Sequence, residues 1–186
     1  MKTKWLEKKM KYDGTQLHSL FGYMKHKISG DSCIAWQGAC DISFEHMVDG
    51  EDVLAESEIR GSDMVHFIIE IFDRSLFSAV LLQRLFTNIV RETLQNMTKN
   101  KYLIFREGDD LYWEKKKLSI SIATKSQVSV LIHFAVNVSN KGTPVPTACL
   151  SDFKVAPQKF AQAAMNRLRA ELESVKFATV KVRSVR

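Results

Sequence analysis

Lys117, Ser119, Ser121, Ser129, His133 and Asn137 lie on two neighbouring stretches of alternating sequence, and between them they offer an amine, hydroxyls, an imidazole and an amide. Successive side chains on a strand point to opposite faces. In residues 117–124 and 128–138, Leu118, Ile120 and Ile122 therefore group with Val128, Val130, Ile132, Phe134, Val136 and Val138 as one packing face. The polar set falls on the other face. Solvated strand faces usually carry Lys, Glu, Arg and Thr, whereas hydroxyls, one imidazole, one amide and one amine read as the floor of a pocket. Such a floor could set a cation, a hydrogen-bonding hydroxyl and a proton donor against one ligand.

Joining the two stretches through Lys125, Ser126 and Gln127 gives a hairpin whose paired residue numbers sum to about 252. Ser119 then sits opposite His133, and Ser121 opposite Leu131. The plainer reading of the same residues is a satisfied core histidine flanked by ordinary strand serines.

The elements that must hold this hairpin follow from pattern. Residues 3–12 alternate as a strand ended by Asp13-Gly14, and residues 32–36 form a short buried strand after Gly30-Asp31. The acidic stretch 44–54 reads as a broken helix or loop bounded by Gly61. Residues 64–72 are β-branched and aromatic, which favours a strand carrying His66 and Glu70 on one face. Residues 75–97 form the clearest helix, with Ser75 as cap and Leu76, Val80, Leu81, Leu85, Ile89 and Val90 as the expected buried stripe. A strand at 102–105, a turn from Arg106 through Asp109 and Asp110, and another short strand precede the hairpin. Gly142, Pro144, Pro146 and Pro157 break up a loop, residues 158–173 have helical periodicity, and residues 176–185 alternate as a final strand. Antiparallel strands around two helices make the fold class α+β: a mixed, largely antiparallel sheet packed by helices.

Length and composition narrow the class. The 186 residues suit one domain over 1–186 with a substantial core, and 45% apolar with 26% charged content is ordinary for a folded chain. The net charge of +6 is unevenly spread: residues 1–27 hold seven Lys against Glu7 and Asp13, and residues 31–73 hold eleven acids against Arg60 alone. No block forms a basic stripe with interleaved aromatics, so direct nucleic-acid binding is not expected. Cys33, Cys40 and Cys149 make an odd count without a CxxC pair, which fits a reducing compartment. With no leader and no apolar run long enough for a bilayer, a cytoplasmic protein without membrane contact is expected. The spacings of His18, His26, His46, His66 and His133 match no familiar zinc pattern, so no metal is expected.

The order Arg106-x-Gly-Asp-Asp110, Lys117-Leu-Ser-Ile-Ser-Ile-Ala-Thr124, His133 and Asn137 resembles the prokaryotic family catalogued as domain of unknown function 366. Gly30-Asp31-Ser32, Met47-Val-Asp49 with Glu51-Asp52, and Asp63-Met-Val-His66 with Glu70 match the same family, so the resemblance spans nearly the whole chain. More distantly the chain is similar to biotin and lipoate protein ligases, with Asp109-Asp110 in place of their acidic turn, Lys117 in place of their strand lysine and Asn137-Val138 in place of their Asn-Val strand. That likeness implies a ligase-like sheet with helices on one side. The chain departs from it in having no GRGR-like glycine- and arginine-rich loop, the element whose amides and arginines hold the adenylate.

The family resemblance implies an association with 7-deazaguanine metabolism, including loss of the carboxyl group from 7-carboxy-7-deazaguanine. On that reading the chain is an enzyme acting on a small heterocyclic carboxylic acid, without cofactor. Lys117 and His133 supply cation and proton, and Asp109 or Asp110 stands against the substrate carboxylate. Asp49, Asp52, His66 and Glu70 face the donors of a guanine-like edge, with Ser119, Ser121, Ser129 and Asn137 as further contacts. Arg106 holds the aspartates or touches the ligand. The alternatives are an ATP-dependent acyl ligase or acyltransferase, and a non-enzymatic small-molecule-binding protein. The sequence leaves a homodimer open.

Overall fold

The computed structural model describes residues 1–185. Its centre is a five-stranded sheet in the order β1-β2-β3-β8-β7, formed by β1 (Lys2–Leu6), β2 (Ser32–Ile42), β3 (Ile59–Phe72), β8 (Ser129–Asn137) and β7 (Ser119–Lys125). Only β1 and β2 run parallel; the other pairings are antiparallel. A small second sheet joins β4 (Phe105–Glu107), β5 (Asp110–Trp113) and β6 (Lys116–Lys117). The class is α+β.

Period-two alternation divides the central sheet between two environments. Val65, Phe67, Ile69 and Ile71 of β3 join Val130, Ile132, Phe134 and Val136 of β8 in a core covered by α3 (Leu76–Met97) and α4 (Pro157–Val180). Phe67 meets Phe86 of α3 and Phe160 of α4 edge-on, a preferred aromatic geometry. The opposite face collects Ile34, Trp36, Met64, Ile68 and Ala135, with Tyr12 and Phe21 packed over them. Both faces of β8 are thus buried, although only one of them touches helices.

The segment before α1 (Phe21–His26) follows β2 further than β1 alone. Met10 and Tyr12 bond the carbonyls of Gln37 and Ala39, Tyr12 bridges to Cys40, and the pairing of β2 with β3 bulges between Gly38 and Cys40. A Cβ on Gly38 would stand 1.9 Å from the Met10 carbonyl oxygen, so the close passage of the two backbones requires glycine there.

Several sequence expectations need correction. The hairpin pairs Ser119 with Val136 and Ile122 with His133, so the paired numbers differ by three from the expected sum. Its turn is one residue longer than assumed and displaced along the chain: Lys125 pairs with Val130, and the Ser126 hydroxyl accepts from the amides of Val128 and Ser129. An odd shift moves every side chain of one strand to the other face. Ser119 and Ser121 consequently face the helices, while Ile120 and Ile122 share the face of His133.

Helix α3 starts where expected, with the Ser75 hydroxyl accepting from the Ser78 amide. Ile89 and Val90 are buried as expected, but the stripe is rotated to include Ala79, Gln83, Phe86, Thr87, Thr93 and Leu94, and Leu76 and Leu81 are exposed. Residues 102–104 are not strand, and β4 begins only at Phe105. Gly61 lies inside β3 rather than ahead of it. The expected strand at 176–185 is absent: α4 continues to Val180, drawn on by the helix formers Ala170, Glu171, Leu172 and Glu173. Among the described residues no helix is long and apolar enough to cross a membrane.

Candidate functional site

A cavity of about 430 Å³ opens between the cavity-side face of the central sheet and the small sheet. Met64, His133 and Asn137 form its floor, Asp109, Asp110 and Lys117 one wall, and Asp49, Asp52 and Glu58 also line it, with Asp52 near enough to Lys117 and Asp110 for their charges to act on one another. The last group comes from the acidic stretch, which folds as a 3-10 turn (Phe44–His46) and α2 (Gly50–Leu54). Asp49 caps α2 by accepting from the Glu51 amide at 2.8 Å, which holds this part of the lining in shape.

Lys117 is fixed at both its backbone and its tip. Its N–H donates to the Pro146 carbonyl and its own carbonyl accepts from the Ala148 amide at 3.0 Å and from Asn137 Nδ2 at 3.3 Å. At the tip, Nζ lies 2.8 Å from Asp110 Oδ2. Burial opposes the ammonium, but the hydrogen bond and charge of Asp110, with Asp52 adding to them, hold the lysine above its ordinary pKa. Burial likewise pushes the Asp110 carboxyl up; Lys117 pulls it back only in part, and Asp109 and Asp52 push further. Asp52 is also raised, by burial and by Asp49. One ammonium therefore stands near two carboxyls, Asp110 and Asp52, that burial pushes up.

Asp109 has partners of its own. Its Oδ2 accepts from Gln83 Nε2 at 2.8 Å and from Ser121 Oγ at 2.9 Å, and Arg84 approaches its Oδ1 at 3.8 Å. These contacts tie the Gly108-Asp109 turn to α3 and aim Asp110 at Lys117.

On the floor, His133 is stacked against Tyr12 with ring centroids 3.6 Å apart and planes 12° from parallel. Its Nε2 lies 3.1 Å from Nδ1 of His66, whose Nε2 lies 3.2 Å from the Gly38 carbonyl oxygen. Desolvation lowers both imidazoles, His66 to about 4 and His133 well below its usual value. Both rings are neutral near pH 7.

Lys117, Asp109, Asp110, Ser119, Ser121, His133, Asn137, Asp49 and Asp52 line one cavity. Four residues expected to contact a ligand lie elsewhere. Arg106 is exposed and donates to the Gly108 carbonyl of its own turn at 2.6 Å; Arg84, not Arg106, approaches the aspartate. Glu70 is buried at the far end of β3, accepting from the Leu20 amide and from Ser129 Oγ, each at 2.7 Å, which also removes Ser129 from the cavity. His66 sits behind His133 and bonds that ring rather than Glu70. Ser119 and Ser121 reach the cavity at the edge strand, but their hydroxyls serve the Leu111 amide and Asp109. Tyr12, Gln83 and Arg84 escaped notice in the sequence. Tyr12 carried a usable signal, as the last alternating residue before the Asp13-Gly14 turn; the other two lie on a helix with nothing local to mark them.

Among the described residues, no group of three or more His, Cys, Asp or Glu side chains is arranged to hold a metal ion. Cys40 is buried, which pushes its thiol up to about 12 and leaves it inert as a nucleophile at neutral pH.

Comparison with known proteins agrees with this architecture. A protein of unknown function from Pyrococcus horikoshi superposes with a TM-score of 0.94 at 36% identity, over 100% of this chain and 99% of that one. An uncharacterised protein from Methanocaldococcus jannaschii is 33% identical over 143 residues, 74% of this chain, and the chain spans 63% of that relative's length. A biotin protein ligase from Aquifex aeolicus in complex with biotin and ATP shares the fold at a TM-score of 0.59 and 14% identity, over 92% of this chain and 70% of that one. P. falciparum LipL1 in complex with lipoate does so at 0.60 and 11%, over 100% and 64%. The sheet is thus of the biotin and lipoate ligase kind, and a match over residues 1–183 makes the chain a member of the family described as Domain of unknown function (DUF366).

Proposed function

We propose that the cavity binds a small heterocyclic carboxylic acid and removes its carboxyl group, with 7-carboxy-7-deazaguanine as the substrate. The observation that carries this reading is the Lys117–Asp110 pair: an ammonium held 2.8 Å from a half-buried carboxylate on the wall of a cavity of about 430 Å³. A substrate carboxylate drawn in by Lys117 meets Asp110 and Asp52 beside it, and like charges at close range raise the ground state. The bond from ring carbon to carboxyl carbon then breaks with both electrons left on the ring. Carbon dioxide leaves, and Lys117 gives its proton to that ring carbon, afterwards regaining one from solvent. Asp49, Asp52 and Glu58 supply acceptors for the amino and N–H groups of the heterocycle.

Incubation with 7-carboxy-7-deazaguanine tests the reading: 7-deazaguanine and carbon dioxide should form in equal amounts, and in D2O the product should carry deuterium at the former carboxyl position. Absence of product from protein that is folded by circular dichroism removes the proposal. Likeness to a ligase complexed with biotin and ATP supports a second reading, acyl transfer after adenylation. Turnover that needs ATP and releases pyrophosphate would select it.

A further inference from the structure

A carbonyl oxygen can only accept a hydrogen bond, so the 3.2 Å contact between the Gly38 carbonyl and Nε2 of His66 places the ring proton of His66 on Nε2. His66 is neutral, because burial with no carboxylate partner disfavours its charged form. Its Nδ1 therefore carries a lone pair, and the 3.1 Å contact to His133 is satisfied only if His133 donates from its own Nε2. A neutral His133 protonated on Nε2 has a bare Nδ1. Among the described residues no protein group bonds that nitrogen, yet it is not one of the unpartnered polar atoms sealed from solvent. His133 lines the cavity, and that is where this acceptor is open. The Nε2 contact to His66 fixes which edge of the imidazole is turned inward, while Tyr12 is stacked on its face.

We infer that His66 is a positioning residue that locks His133 in its Nε2–H tautomer, making Nδ1 a permanent hydrogen-bond acceptor that selects ligands presenting an N–H or O–H donor to the cavity floor. In most solvated sites an imidazole adapts by exchanging tautomers. Here exchange at His133 alone would set two lone pairs against each other between the rings, and exchange at His66 would set a bare Nε2 against the Gly38 carbonyl oxygen. A heterocycle with an amino group or ring N–H at this point is accepted. A ligand offering only acceptors there is refused, because its lone pairs and that of Nδ1 would both be desolvated and unpaired. The identity of the ligand rests on the decarboxylase reading above; the tautomer does not.

Long-range 1H–15N correlation spectra of the full chain labelled with 15N-histidine read the lock directly. Both His66 and His133 should appear as neutral Nε2–H rings in the ligand-free protein, and addition of 7-carboxy-7-deazaguanine should shift His133 Nδ1 as it accepts a hydrogen bond. Replacement of the relay separates positioning from simple packing. His66→Leu removes the acceptor for His133 and should weaken binding roughly tenfold, the loss of about one hydrogen bond. His66→Gln, whose oxygen can accept from His133 while its amide donates to Gly38, should stay within about threefold. An Nδ1–H or doubly protonated His133 in the free protein overturns the lock, whatever binds. Binding that leaves His133 Nδ1 unmoved overturns the acceptor role. Should 7-carboxy-7-deazaguanine fail to bind while both rings keep the Nε2–H form, the decarboxylase reading falls and the lock stands.

Discussion

The cavity is built from two paired sites that solve opposite electrostatic problems. Lys117 and Asp110 sit on the small sheet with 34% and 23% of their side-chain surface exposed, each favouring the other's charge against the effect of burial. His66 and His133 sit on β3 and β8, essentially dry, and meet as neutral rings. In the low dielectric of the floor an isolated charge would be costly, and among the described residues no carboxylate bonds either imidazole to offset it. On the proposed reading the contrast separates two kinds of work within one cavity: charge and proton delivery at the wall, fixed hydrogen-bond direction at the floor. Loss of a wall charge should then cost activity, and loss of a floor contact structure.

Removal of the wall charge tests the division most severely. Lys117→Ala should lower turnover of 7-carboxy-7-deazaguanine by roughly 10³-fold or more, while its chemical denaturation midpoint should stay within about 1 kcal/mol of wild type, as expected of a partly exposed ion pair. Full activity in this variant would leave the wall without a function. Asp110→Asn keeps the shape and removes the negative partner; a fall of roughly 10–100-fold in turnover is expected, with tighter rather than weaker binding of the substrate carboxylate as repulsion is relieved. Because burial raises Asp110, the acid limb of the wild-type rate profile should lie above the ordinary aspartate value of 3.8 and disappear in this variant.

The floor should respond in stability. Gly38→Ala forces a Cβ into the Met10 carbonyl, and a loss of roughly 2–3 kcal/mol is expected in urea unfolding. The histidine relay should give a pH signature. An unfolded imidazole binds its proton near 6.5, whereas native His66 does so only at about 4. As pH falls between these values the unfolded chain takes up a proton that the native state refuses, so stability present above 6.5 is progressively lost. His66→Gln should flatten this decline. An unchanged slope would show that the pair is not neutral in the native protein. The smallest effect is expected at Ser121→Ala, where Gln83 still holds Asp109: a loss near 1 kcal/mol in stability and a change of less than about threefold in turnover.

The same contrast marks where local pattern was a sufficient guide. His133 stood out as an imidazole on a strand that otherwise packs, and Lys117 and Asp109-Asp110 stood out through the order of motifs that resembles the family. The helix at α3 was legible from its Ser75 cap and apolar spacing, although the stripe that faces the core is rotated toward Gln83 and Thr87. That rotation follows from partners: Gln83 and Thr87 are buried because the Asp109 turn needs donors there, which no spacing rule on the helix itself encodes. The expected strand after residue 176 is instead the end of α4, which runs on to Val180, a continuation that alternation over those residues does not encode.

Residue types and their period determined that this chain is α+β, that its last two strands form a hairpin, and that an amine, a carboxylate turn and an imidazole lie close in sequence to a common surface. Tertiary structure alone decided the hairpin register, and with it which face each serine takes, because a turn displaced by a few atoms inverts every side chain beyond it. It alone also set His66 behind His133 and Asp52 near Lys117, through interactions between residues 67 and 65 positions apart. Hydrogen-bond direction and charge balance are properties of neighbours in space, and the order of residues along a strand does not contain them.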